Sequence, residues 1–103
     1  MTKVIVAGAA GRMGQRIISM VQAHPQLQLS GAFERPGSPV IGKDAGAVSG
    51  LGETGVTITE GIESVIGKAD VLIDFTFHAA TLGFAQVAAQ HGVAMVIGTT
   101  GLS

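Results

Sequence analysis

The stretch Lys3 to Gly14, KVIVAGAAGRMG, sets the strongest limit on what this chain can fold into. The apolar run Val4 to Ala7 is too short for a helix and is stopped by glycine, which predicts a first, central strand over Lys3 to Ala7. Gly8, Gly11 and Gly14 follow at a spacing of three. From Arg12 onward the apolar residues Met13, Ile17, Met20 and Val21 recur at helical intervals until His24-Pro25. A strand that passes into a helix through bare glycines has the layout of a phosphate-binding turn. Such glycines let the backbone turn sharply and approach a pyrophosphate, whose charge then faces free amides and the positive end of the helix. The pattern is GxxGxxG, with Ala9 and Ala10 between the first two glycines, in place of the commoner GxGxxG. Arg12, inside the motif, is a cation able to reach a phosphate or to sit solvated on the helix. Met13 lies on the apolar face and is expected to pack beneath the turn.

The rest of the chain repeats strand and helix. Gln26 to Phe33 alternates polar and apolar residues, as in a second strand with one more polar face, and Glu34 and Arg35 stand at its end. Glu34 is 20 residues beyond Gly14, the distance at which a strand-end acid meets the ribose hydroxyls in dinucleotide-binding folds. Arg35 beside it suits a ribose 2′-phosphate or the adenine face. An acid favours the free hydroxyl and an arginine the phosphate, so the pair predicts a relaxed choice between NADH and NADPH; the alternative is an ordinary solvated ion pair. Residues 36–55, glycine-rich with Pro36 and Pro39, are expected as a long loop in which Lys43 and Asp44 occupy a solvated turn. Val56 to Thr59 reads as a third strand, and Glu60 to Gly67 as a short helix with Ile62, Val65 and Ile66 inward.

Ala69 to Thr76 is an apolar run typical of a buried parallel strand. Its end places Asp74, Phe75 and Thr76 at the crevice where open α/β sheets bind ligands. Phe75 is expected to line a cofactor channel and Thr76 to meet phosphate or ribose. A lone carboxylate at Asp74 reads as a structural acceptor for loop amides, and His78 is not read as an acid or base. Ala79 to His91 forms a helix with Leu82, Ala85, Ala88 and Ala89 as its apolar stripe, widened by Phe84 and Val87. His91, like His24 in the first helix, is expected to serve the last carbonyls. Val93 to Ile97 is a fifth strand, closed by the turn Gly98, Thr99, Thr100 and Gly101. Five strands alternating with helices imply a twisted parallel sheet with right-handed crossovers. The order 3-2-1-4-5 brings Gly8 to Gly14, Glu34, Asp74 to Thr76 and Gly98 to Thr100 to one edge.

Composition narrows the function classes. The 103 residues suit one domain with its own core, and an aliphatic, alanine-rich mix with four Phe and no Trp or Tyr suits buried parallel strands. No apolar run is long enough to span a membrane, and the first residues do not resemble a signal peptide, so a cytoplasmic protein is expected. Formal net charge is -1 and the six basic residues are scattered, which argues against nucleic acid as a partner. With no cysteine there is no disulfide, thiolate metal site or thiol nucleophile, and no metal site is expected.

The segments VAGAAGRMG, Glu34-Arg35, GKDAG, GLGETGV, IDFT and VIGTTG occur in the order and spacing of the dihydrodipicolinate reductases, also called 4-hydroxy-tetrahydrodipicolinate reductases, and the chain resembles that family along essentially its whole length. The resemblance implies a doubly wound, Rossmann-like α/β domain with a mostly parallel sheet of about five strands. It also implies an NADH- or NADPH-dependent oxidoreductase that reduces a cyclic imine dicarboxylate on the way to diaminopimelate and lysine. By that resemblance Gly8, Ala9, Ala10, Gly11, Arg12 and Met13 hold the pyrophosphate. Glu34 and Arg35 hold the adenosine ribose or its phosphate, and Gly98, Thr99 and Thr100 lie by the nicotinamide ribose. Phe77-His78 departs from the proline or arginine expected after DFT. The family's catalytic residues belong to a second domain outside these 103 residues, so the chain is expected to be an amino-terminal fragment that binds cofactor without turning over substrate. The whole enzyme is expected to be a homo-oligomer. A non-catalytic nucleotide sensor and the nucleotide domain of another dehydrogenase are the alternatives.

Overall fold

A computed structural model describes residues 2–9, 11–35, 37–74 and 78–97. Five strands, β1 (Thr2–Ala7), β2 (Leu27–Glu34), β3 (Ile58–Glu60), β4 (Val71–Asp74) and β5 (Ala94–Ile97), form one sheet in the order β3-β2-β1-β4-β5, every neighbour parallel. Among the described residues three helices, α1 (Arg12–Ala23), α2 (Ala45–Val48) and α3 (His78–Gln90), and a 3-10 turn at Ile66–Lys68 accompany the sheet. The strand order reverses direction beside β1, and the crevice of such sheets opens at that switch point.

Both faces of the sheet are covered, which is why β1 is buried from Val4 to Ala7 without alternation. On one face Val4, Val6, Ala32 and Ile58 pack with Ile17, Ile18 and Val21 of α1 and with Ala45 of α2. On the other, Ile5, Ala7, Phe33 and Leu72 pack with Ile62, Val65, Ile66 and Ala88. The Phe33 ring meets the edge of Phe84 in a T-shaped contact, with centroids 5.1 Å apart.

The alternation in β2 breaks at a register shift, because Val4 pairs with Leu29 and Ile5 with Gly31, leaving Ser30 as the extra residue. Beyond it Gly31, Ala32 and Phe33 are all buried. A Cβ at Gly31 would come within 2.7 Å of the Val65 side chain, so glycine lets the segment after β3 lie flat on the sheet. Met20 is 66% exposed, since the stripe that α1 buries is Gly14, Ile17, Ile18 and Val21. Ala89 is likewise exposed, whereas Ala88 is buried. Ile62, Val65 and Ile66 do face inward, although a 3-10 turn takes the place of the expected helix, and Glu60 ends a strand where a helix start was expected. The His24 ring nitrogen Nδ1 accepts the Gln26 amide (3.1 Å) instead of serving the last carbonyls of α1. His91 matches its expected place, with Nδ1 2.9 Å from the Val87 carbonyl oxygen.

The stretch expected as a long loop over 36–55 is, in its described part 37–55, organised and not simply a loop. Gly42 to Ala45 run antiparallel to Val56 to Ile58, with Gly42 and Ala45 donating to the carbonyls of Ile58 and Val56 (2.8 Å each). Asp44 caps α2 and joins it to the return strand. Its carboxylate accepts the amides of Gly46, Ala47, Thr54 and Gly55 and the Thr54 hydroxyl, at 2.8 to 3.1 Å. Those donors, the Thr54 amide first among them, hold its pKa at about 2, below the ordinary 3.8, against an opposing desolvation. A carboxyl whose folded pKa is depressed contributes stability above about pH 4 and loses it as pH falls toward 2. Thermal melts between those limits are expected to decline with acid in the wild type and to be flatter for Asp44→Asn. Parallel slopes for the two proteins would contradict this role.

Candidate functional site

The carboxyl ends of the strands fall on one line, where Thr59, Phe33, Ala7, Asp74 and Ile97 are successive register partners across the sheet. The glycine turn rises from the middle of that line. Gly8 has a φ of +71°, a conformation that disfavours side chains, and its carbonyl accepts the Gly11 amide at 3.0 Å. Gly11 caps α1 from extended backbone and offers no side chain to it. The first intrahelical bond runs from the Gln15 amide to the Gly11 carbonyl (3.0 Å), so the amides of Arg12, Met13 and Gly14 precede the ladder. A serine or aspartate at the cap would occupy such donors itself. No acidic residue stands in this first turn to oppose an anion.

Gly14 answers a different need. A Cβ there would run into the Gly8 carbonyl oxygen and lie 2.9 Å from its carbon and 3.1 Å from the Ala9 Cα. Absence of that atom lets α1 start directly against the turn. Sequence spacing did not reveal what anchors the turn from below. Both the Gly8 and Ala9 amides donate to the Phe33 carbonyl (3.0 and 3.3 Å), and the Ala9 methyl is buried in the core. With the Gly8, Ala9 and Gly11 amides engaged within the turn, the amides that precede the helical ladder are those of Arg12, Met13 and Gly14. Met13 is half-buried and Arg12 exposed there.

At the end of β2, Glu34 is half-buried and Arg35 exposed. The Glu34 carboxylate accepts the Arg35 amide (3.3 Å), and its carbonyl accepts the Gly61 amide (3.1 Å), which ties the chain leaving β3 to the end of β2. Asp74 is fully buried at the end of β4 (0% exposed), in register with Ala7. The structure therefore brings Gly8, Ala9, Gly11, Arg12, Met13, Glu34 and Arg35 to one sheet edge. Ala10, Phe75, Thr76, Gly98, Thr99 and Thr100 lie outside the described residues, as does the His78 side chain. Among the described residues no cluster of His, Asp and Glu could hold a metal, and no helix is long and apolar enough to cross a membrane.

Residues 2–103 match the family described as dihydrodipicolinate reductase, N-terminus. A 4-hydroxy-tetrahydrodipicolinate reductase from Desulfotalea psychrophila is 63% identical over 103 residues, which is all of this chain and 38% of that protein. The chain thus spans well under half the length of this relative. Among solved structures, dipicolinate-bound dihydrodipicolinate reductase from Paenisporosarcina sp. TG-14 superposes with a TM-score of 0.76 at 24% identity, covering 100% of this chain and 39% of that one. An aspartate semialdehyde dehydrogenase with NADP, from Candida albicans, gives 0.75 at 20% identity, covering 97% and 30%. At these identities the two likenesses establish a shared fold.

Proposed function

The chain belongs to the dihydrodipicolinate reductase family, as its amino-terminal, nucleotide-binding part, and on that premise we propose how it holds NADH or NADPH. The observation that carries the proposal is the uncapped start of α1, set against the end of the central strand by Gly8 and Gly14. Pyrophosphate oxygens accept the amides of Arg12, Met13 and Gly14, with the helix dipole adding about 0.3–1 kcal/mol for each charge. Gly8, Ala9, Ala10 and Gly11 keep side chains out of that approach, and the Arg12 guanidinium reaches a phosphate.

Glu34 accepts the adenosine ribose hydroxyls and Arg35 meets a 2′-phosphate, so both nucleotides bind. Phe75 and Thr76 line the path to the nicotinamide, and Gly98, Thr99 and Thr100 lie beside its ribose. Asp74 holds loop backbone in this scheme and does not move protons. When bound, the nucleotide would supply a hydride to a cyclic imine dicarboxylate. Residues outside this segment in the whole reductase bind that substrate and complete the reaction. The whole enzyme acts in the cytoplasm, as a homo-oligomer, in lysine and diaminopimelate biosynthesis. The family match favours this reading over a nucleotide sensor or another dehydrogenase.

Titration with either nucleotide is expected to shift the amide resonances of Arg12, Met13 and Gly14, and unmoved resonances at saturation would refute the site. Losing a charge-assisted bond, Arg35→Ala should weaken NADPH about tenfold more than NADH. Equal losses would remove Arg35 from the phosphate.

A further inference from the structure

The register between β2 and β3 sets a second acid beside the one at the β2 end. Glu34 and Glu60 are direct partners in parallel strands, which lie about 4.8 Å apart. Direct partners project to the same face. Two residues earlier on each strand, Ala32 and Ile58 are also partners, and both pack into the core on the α1 side. Glu34 and Glu60 therefore emerge on the face from which α1 and the glycine turn rise. Glu60 is exposed. Gly61 (φ +80°) turns the chain away at once, and the Glu63 carboxylate lies against it, with Oε2 2.9 Å from where a Gly61 Cβ would stand. Across this rim Arg35 is the cation adjacent in sequence to Glu34.

We propose that Glu60 is a specificity residue, and that its charge beside Glu34 biases the adenosine subsite toward NADH over NADPH. The inference rests on the nucleotide reading given above. A ribose held by Glu34 carries its 2′ position at the end of β2, and the neighbour of β2 on the side away from β1 is β3. A 2′-phosphate placed there meets the Arg35 cation on one side and the Glu60 carboxylate on the other. Repulsion between that carboxylate and a doubly charged phosphate across a few ångströms of solvated surface corresponds to about three- to tenfold in affinity. A 2′-hydroxyl feels no such repulsion.

Fluorescence titration of the wild-type chain and of Glu60→Gln with both nucleotides tests this. Glu60→Gln is expected to lower the ratio of the NADPH to the NADH dissociation constant about three- to tenfold. The difference between the two proteins should shrink as salt rises from about 20 to about 300 mM, because screening removes a charge effect and leaves a packing effect in place. An unchanged ratio, or a change that salt does not weaken, overturns the role of Glu60 while leaving the nucleotide site standing. Failure of the wild type to bind either nucleotide overturns both.

Discussion

Replacing Gly14 by alanine is expected to destabilise the domain by about 2–4 kcal/mol and to abolish nucleotide binding, whereas the same replacement at Gly83 stabilises it by about 0.5–1 kcal/mol. Both glycines lie in helices, α1 and α3. Alanine is the better helix former at either place, so propensity predicts a gain for both. Space decides the sign. Around Gly83 a new Cβ meets nothing within 4 Å. At Gly14 it runs into the Gly8 carbonyl, backbone that cannot rotate aside as a side chain would. Relief requires α1 to back away from β1, which moves the Arg12 and Met13 amides off the line of the turn and opens the core at Ile17 and Ile18. A loss of this size is a large share of the 5–15 kcal/mol that holds a domain together. Gly11→Ala is the graded control, since its Cβ would stand 3.3 Å from the same oxygen and calls for an adjustment of a few tenths of an ångström. Denaturant melts of the three variants should rank Gly83→Ala above Gly11→Ala above Gly14→Ala. A Gly14→Ala protein as stable as the wild type would mean that α1 does not sit against the turn.

That ranking also marks what the sequence made legible. The spacing of Gly8, Gly11 and Gly14 located the turn, because close backbone approach needs glycine whatever surrounds it. The distance to Glu34 located the second strand end, and the alternation of short apolar runs with helical stretches pointed to a parallel sheet. Features that depend on contact between distant segments were not legible. The extra residue at Ser30 shifts the register within β2, and no periodicity announces a shift of one residue. The pairing of Glu34 with Glu60 belongs to the separate register between β2 and β3, which no local pattern in either segment reveals. Met20 fits the helical period but falls outside the narrow stripe that a helix buries on a sheet. Asp44 carries a local signal of its own. An aspartate directly before Ala45-Gly46-Ala47-Val48 is a helix cap in form, and glycine at 46 is demanded by the Thr54 side chain and the Gly52 carbonyl that a Cβ would strike.

Phe33→Ala is expected to cost about 3–5 kcal/mol, the range for emptying a large buried aromatic site. The ring is 1% exposed and belongs to the core on the α3 side, with Ile5, Leu72 and Val65, while its edge-to-face partner Phe84 reaches it from α3. Truncation removes that contact, worth about 0.5–1.5 kcal/mol beyond area, and leaves a cavity between sheet and helix that rigid β-strands cannot close. The consequence reaches the candidate site through the backbone. The carbonyl of the same residue accepts the Gly8 and Ala9 amides, so loosening β2 at this position loosens the anchor of the glycine turn. Hydrogen exchange at Gly8 and Ala9 should therefore quicken in Phe33→Ala more than exchange at the far end of β1, and nucleotide affinity should fall with it. Phe33→Leu retains most of the volume and should recover over half of the stability and the slow exchange. If exchange at Gly8 and Ala9 instead keeps pace with the rest of β1 in both variants, the Phe33 carbonyl is not what holds the turn in place.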